Sequence, residues 1–142
     1  MEHERRTISG RERLAILGEV SLVGLSRAPL LRWFLPRALD RYEARLKARG
    51  DWSPLRAQKL GLLHENARNY SGARRLYLEA LELKPNDPAI FLHLGLLCEA
   101  QGLTADAVQN YAQVLRLGTT FSAELRDGIV AKMARLQGTL KS

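Results

Sequence analysis

Cysteine occurs once in the 142 residues, histidine three times and methionine twice. A lone Cys98 excludes both a disulfide framework and a cysteine-based metal motif, and it fits a reducing compartment. No GxxxxGK followed by Ser or Thr, no GxGxxG, no GxSxG and no HExxH is present. His3, His64 and His93 have no further ligands at metal spacing. These absences leave no catalytic residue, no metal site and no cofactor to expect. Aromatic residues make up only 6% of the chain. Little stacking surface is therefore on offer, which disfavours nucleic acid as a partner.

A long uninterrupted apolar run is also missing. The most apolar stretch, RLAILGEVSLVGLSRAPLLRWFLP, is broken by Glu19, Arg27, Pro29 and Arg32. Each centrally placed charge costs about 2.5–3.5 kcal/mol on insertion, so a membrane span is disfavoured. Residues 1–10 are polar and of mixed charge, unlike the basic start of a secretory signal. The expected location is cytoplasmic.

What charge there is lies unevenly. The chain carries a formal +7, and residues 1–50 hold +5 of it. A basic first third favours an acidic protein, an anionic membrane surface or nucleic acid, and the count does not choose among them.

The informative feature is a repeat. Leu60-Gly61-Leu62-Leu63 returns as Leu94-Gly95-Leu96-Leu97, 34 residues on. At the same spacing Pro54 pairs with Pro88, Glu65 with Glu99, Ala73 with Ala107, Tyr77 with Tyr111 and Leu81 with Leu115. Ser53-Pro54 and Asp87-Pro88 are helix starts, an N-cap followed by a proline whose missing N–H would be unpaired there anyway. The spacing predicts a first helix from Pro54 to Ala67 with the stripe Ala57, Leu60, Gly61, His64. Arg68 to Gly72 reads as a turn, and a second helix runs from Ala73 to Leu83. The second copy repeats this with Phe91, Leu94, Gly95, Cys98, a turn at Gln101 to Thr104, then Ala107, Tyr111 and Val114.

Helix, short turn, helix at this period resembles the tetratricopeptide repeat (TPR). Its pattern of a large residue, Leu-Gly, an aromatic, a small residue, an aromatic, a small residue and proline falls on Ala57, Leu60-Gly61, His64, Ala73, Tyr77, Ala80 and Pro85. In the second copy it falls on Phe91, Leu94-Gly95, Cys98, Ala107, Tyr111, Val114 and Thr119. Ala57, His64, Cys98 and Thr119 depart from it, with Gly118 expected to end its helix as a left-handed cap. The resemblance implies an all-α fold, a short right-handed solenoid of antiparallel helix pairs. Residues 54–87 and 88–121 are the two repeats, and residues 122–138 a C-terminal capping helix with the stripe Leu125, Ile129, Met133, Leu136. Residues 137–142 are expected to fray. Residues 1–10 form a flexible arm. Residues 11–50 read as an apolar and basic degenerate helical pair or cap, with Ala38, Tyr42 and Leu46 in register one residue out of phase.

The resemblance also places the function. It implies a non-enzymatic protein-binding scaffold or assembly factor whose concave groove is lined by Leu55, Gln58, Lys59, Leu62, Glu65 and Asn66. The second set is Leu92, His93, Leu96 and Glu99, with Ala89 and Ala100. Some relatives clamp a chaperone's carboxylate tail, but the clamp places read Gln58, Leu62, His93, Ala123 and Asp127, with no lysine, arginine or asparagine. A leucine-lined groove with a glutamate rim instead suits an apolar helix or extended segment. The rival reading is a membrane-surface protein on the cytoplasmic side, anchored by residues 14–35. Arg27, Arg32, Trp33 and Phe34 would meet an anionic surface or a partner.

Overall fold

The structure, a computed structural model, describes residues 33–140. Six α-helices follow one another among these residues, and no strand: α1 (Leu35–Ala48), α2 (Pro54–Asn66), α3 (Tyr70–Leu83), α4 (Pro88–Ala100), α5 (Thr104–Leu117) and α6 (Ala123–Leu140). The expected arm 1–10, the first helix of the degenerate pair, Arg27 and Arg32 lie outside the described residues. None of the described helices is long and apolar enough to cross a membrane.

The N-caps form where the sequence placed them. Ser53 accepts from the Arg56 N–H at 3.3 Å, and Asp87 accepts from the Ala89 N–H at 3.0 Å. The turn after α2 is tighter than the sequence suggested. Tyr70, Ser71 and Gly72 are already helical, because Asn69 caps α3 by accepting from the Gly72 N–H at 3.2 Å. Arg68 turns the chain with φ 58°, and Gly102, one period later, does the same with φ 73°.

Helices pack most closely within the pairs α2–α3 and α4–α5, which then stack on each other. The cause is the two mid-helix glycines. A Cβ built on Gly61 would stand 2.5 Å from Tyr77 Cε1, and one on Gly95 would stand 2.7 Å from Tyr111 Cε1. Each glycine costs about 1 kcal/mol of helix propensity relative to alanine. In exchange a tyrosine ring packs directly against each glycine, and both rings are fully buried. Ala57, Ala73 and Ala80 are buried in one cluster with Tyr77, and Ala107 in another with Tyr111. This is the all-α, TPR-like solenoid.

Several expectations need correction. Gly118 does not adopt the left-handed region: its φ is −83°. It is required for space, since a Cβ there would meet the Phe121 ring at 2.6 Å and the Val114 carbonyl at 2.7 Å. The last helix does not fray at Gln137 but continues to Leu140. Its stripe is narrower than expected: Ile129 is buried, Met133 and Leu136 pack beside it, and Leu125 is exposed.

The register of α1 also differs. Its buried residues are Leu39, Glu43 and Leu46, while Ala38 and Tyr42 face solvent. Counted back one full period from Ala73, Tyr77 and Ala80, the inward places are Leu39, Glu43 and Leu46, so no shift by one is needed. Glu43 thus stands where the later repeats hold tyrosine. Leu39 and Leu46 pack with Leu60 and Leu76 of the first pair.

Candidate binding groove

The glutamates that recur with the repeat are structural before they are anything else. A buried phenol needs a partner for its O–H. Tyr77 donates to Glu65 Oε2 at 2.8 Å, and Tyr111 donates to Glu99 Oε2 at 2.7 Å. Burial, together with the adjacent carboxylate, pushes both phenols well above their usual range. Each pair fixes a carboxylate near the C-terminal end of the first helix of its repeat.

The two carboxylates then diverge. Glu99 also accepts from Lys132 Nζ at 2.7 Å through Oε2 and from Arg135 Nη2 at 2.7 Å through Oε1. The Lys132 bond and the Tyr111 bond hold its carboxyl below the usual range. Among the described residues no cation lies within ion-pair distance of Glu65, and its only hydrogen bond comes from Tyr77. His93 stacks on the Tyr77 ring, 5.2 Å between centroids and 16° from parallel, and burial lowers its pKa so that it is neutral at pH 7.

Around them the residues expected to line a groove fall into two sets. Leu55 is 59% exposed and Leu62 36%, both on α2 with Lys59 also exposed. Gln58 and Asn66 are half-buried. On α4, Leu92 and Leu96 are half-buried against the cluster of Cys98, Tyr111 and Ile129. Val130, one period beyond Leu96, is 52% exposed. Sequence reasoning missed Val130, Lys132 and Arg135. Their signal was present, since Val130 repeats the Leu62–Leu96 spacing and the two cations flank the position one period after Glu99.

The places expected to hold an aromatic take different partners. His64 is fully buried, its Nδ1 accepting from the Asn69 amide at 2.8 Å, with Gly72 leaving room for that contact. Burial lowers its pKa. The proton therefore sits on Nε2, which has no hydrogen-bond partner and lies 3.7 Å from Asp40 Oδ1. Cys98 is buried, its Sγ 3.9 Å from the Asn110 amide, and burial raises its pKa.

An ionic seam joins α1 to the first pair. Glu43 receives both Arg75 guanidinium nitrogens, at 2.9 and 2.6 Å, and Lys47 at 2.8 Å. Lys47 also meets Glu79 at 2.6 Å and lies over the Trp52 ring, whose Nε1 donates to Glu79 at 2.9 Å. The Arg75 bonds bring the Glu43 carboxyl down to about 2. By contrast the outer face of α1 carries Arg37, Arg41 and Arg45 at four-residue spacing, all exposed and, among the described residues, in no ion pair. At its start stand Trp33 and Phe34, exposed and edge-to-face, with Arg37 over the indole.

Comparison with known families settles the architecture. The family model described as TPR repeat matches residues 69–102, the span from the cap of α3 to the turn after α4. That match covers one period, the same length as the glycine and tyrosine spacing, in a chain of stacked helix pairs. Residues 69–102 thus carry a tetratricopeptide repeat. A search of curated proteins finds no match. TPR domains as a class bind protein partners, and their fold is generally non-enzymatic. This one presents its leucines and its phenol-held glutamates on the first helices of its repeats.

Proposed function

We propose that the chain is a scaffold or assembly module that holds an apolar helix or extended segment of another protein on the groove face of α2 and α4. The observation that carries this reading is the state of α2. Leu55 and Leu62 remain exposed beside Glu65, whose position Tyr77 fixes, whereas the matching face of α4 already packs with α6. A rigid apolar strip with one oriented carboxylate suits a peptide groove. The test is a photo-crosslinker placed at Leu62 and, as a control, at exposed Arg74 on α3. Cross-links to one peptide segment from position 62 and none from 74 support the groove. Leu55→Asp with Leu62→Asp should abolish capture at unchanged circular dichroism, because carboxylates desolvate badly against an apolar ligand. Full capture by that variant removes the groove assignment.

A second reading has its own observation, the exposed arginine row of α1 and the exposed Trp33–Phe34 pair at its start. Aromatic and cationic side chains together suit an anionic lipid surface. Co-sedimentation with phosphatidylserine vesicles, absent with phosphatidylcholine and lost in Trp33→Ser with Phe34→Ser, supports it. Equal sedimentation of the wild type with both vesicles, or with neither, removes it.

A further inference from the structure

We propose that Glu65 selects a lysine or arginine on the segment bound at α2. This inference rests on the groove reading above and adds the chemistry of the ligand.

The reasoning starts from the copy of the site that is already filled. Glu65 and Glu99 occupy the same place in successive repeats, and a buried tyrosine grips one oxygen of each. An ionised carboxylate offers about four acceptor sites, so one phenol leaves most of them unmet. At Glu99 two cations complete the set, Lys132 on Oε2 and Arg135 on Oε1, both at 2.7 Å. They arrive on a helix whose Ile129, Met133 and Leu136 enter the apolar cluster beside them. The chain thus contains its own answer to this carboxylate: an apolar helix with a cation three residues after its buried anchor.

Among the described residues Glu65 lacks that completion. One period before Lys132 and Arg135 stand Cys98 and Gln101, neither of them cationic. Neighbouring His93 is held neutral by its burial, so it does not balance the charge either. The apolar half of the arrangement is nonetheless in place, since Leu55 and Leu62 lie exposed on the same helix. Charge complementarity then points to one kind of occupant. It is a segment that sets apolar side chains on Leu55 and Leu62 and carries Lys or Arg to Glu65 Oε1, the oxygen that Tyr77 does not hold. Charge-assisted bonds of this kind are short and roughly twice as strong as neutral ones, which makes the cation a selective feature.

The test uses the full chain and a displayed library of short randomised peptides. Wild type should enrich peptides with a Lys or Arg beside apolar residues, and Glu65→Gln should enrich apolar peptides without it. Gln retains an acceptor for the Tyr77 hydroxyl, so the fold is preserved. For one selected peptide, Glu65→Gln and replacement of the peptide's lysine by norleucine should each weaken binding tenfold or more. The two changes together should weaken it no further, because they remove the same contact. Selection of apolar peptides with no basic preference, abolished by Leu55→Asp with Leu62→Asp, would overturn the Glu65 proposal and leave the groove standing. Selection insensitive to all these variants would overturn both.

Discussion

The two repeats share a backbone lattice and differ in what covers it. Both set a tyrosine ring on a glycine and tie its hydroxyl to a glutamate. Beyond that, the second pair is closed by α6 through Ile129, Met133 and two cations on Glu99. The first pair is flanked by α1 through the charged seam of Glu43, Arg75, Lys47 and Glu79, and among the described residues no cation meets its Glu65. The shared part is what two helices need in order to pack at close range. The unshared part is what a repeat needs to end the array or to meet something else. Identical residues at identical places therefore do different work according to the next helix.

The strongest way to break the shared half is to fill the glycines. Gly61→Leu and Gly95→Leu should each destabilise by more than about 3 kcal/mol, the upper range for overpacking, since even a Cβ collides with the ring. Denaturant melts should show equal losses for both. A loss in only one would mean that the two lattices are not equivalent.

Next comes the seam. Glu43→Gln leaves Arg75 without its bidentate partner and should cost about 2 kcal/mol, less than a fully buried pair because Arg75 and Lys47 are partly exposed. The effect depends on pH. The Glu43 carboxyl titrates at about 2 in the fold against 4.5 ordinarily. Its contribution is therefore complete above pH 4.5 and is lost as pH falls toward 2. Glu99, lowered in the same direction, adds to that loss. Acid melts of Glu43→Gln should show a shallower decline between pH 4.5 and 2 than the wild type. Parallel curves would remove the seam from the account.

A smaller effect separates the repeats directly. Glu99→Gln loses two ion pairs to α6 and should cost about 1 kcal/mol, whereas Glu65→Gln should cost less than about 0.5 kcal/mol. Equal costs would mean that Lys132 and Arg135 contribute nothing to holding α6. An effect of similar size separates the turns. Gly102→Ala strains a left-handed residue and should lose about 1 kcal/mol, while Arg68→Gly at the matching turn should be neutral or gain a few tenths. A loss on Arg68→Gly would show that its side chain contributes more than its backbone strain costs.

The lattice was legible because steric demands repeat. Gly61, Gly95, Tyr77 and Tyr111 recur at 34 residues, and so do the capping prolines. The seam was not legible. Tyr42 drew the register of α1 one residue off, since an aromatic was the expected occupant of the inward place. The structure buries Glu43 instead, which is affordable only because Arg75, 32 residues away, meets it with two hydrogen bonds. Pairing between opposite charges leaves no periodic trace. Trp52 was missed for a related reason, as its place lies in a turn and its partners, Glu79 and Lys47, lie on two different helices. Of the groove, the residue places could be read by phase. The asymmetry between Glu65 and Glu99 could not, because it depends on which helix follows.

Cys98 gives that asymmetry a clock. The residue is 3% exposed, and burial raises the pKa of its thiol, so it reacts with an alkylating reagent only when the second repeat opens. With one cysteine in the whole chain, every modification event reports that single locus. The ratio of its labelling rate to that of an unfolded peptide measures the free energy of opening α4 from α5 and α6. Under that measurement the grip of Lys132 and Arg135 on Glu99 becomes a protection factor, readable at native conditions without melting the protein.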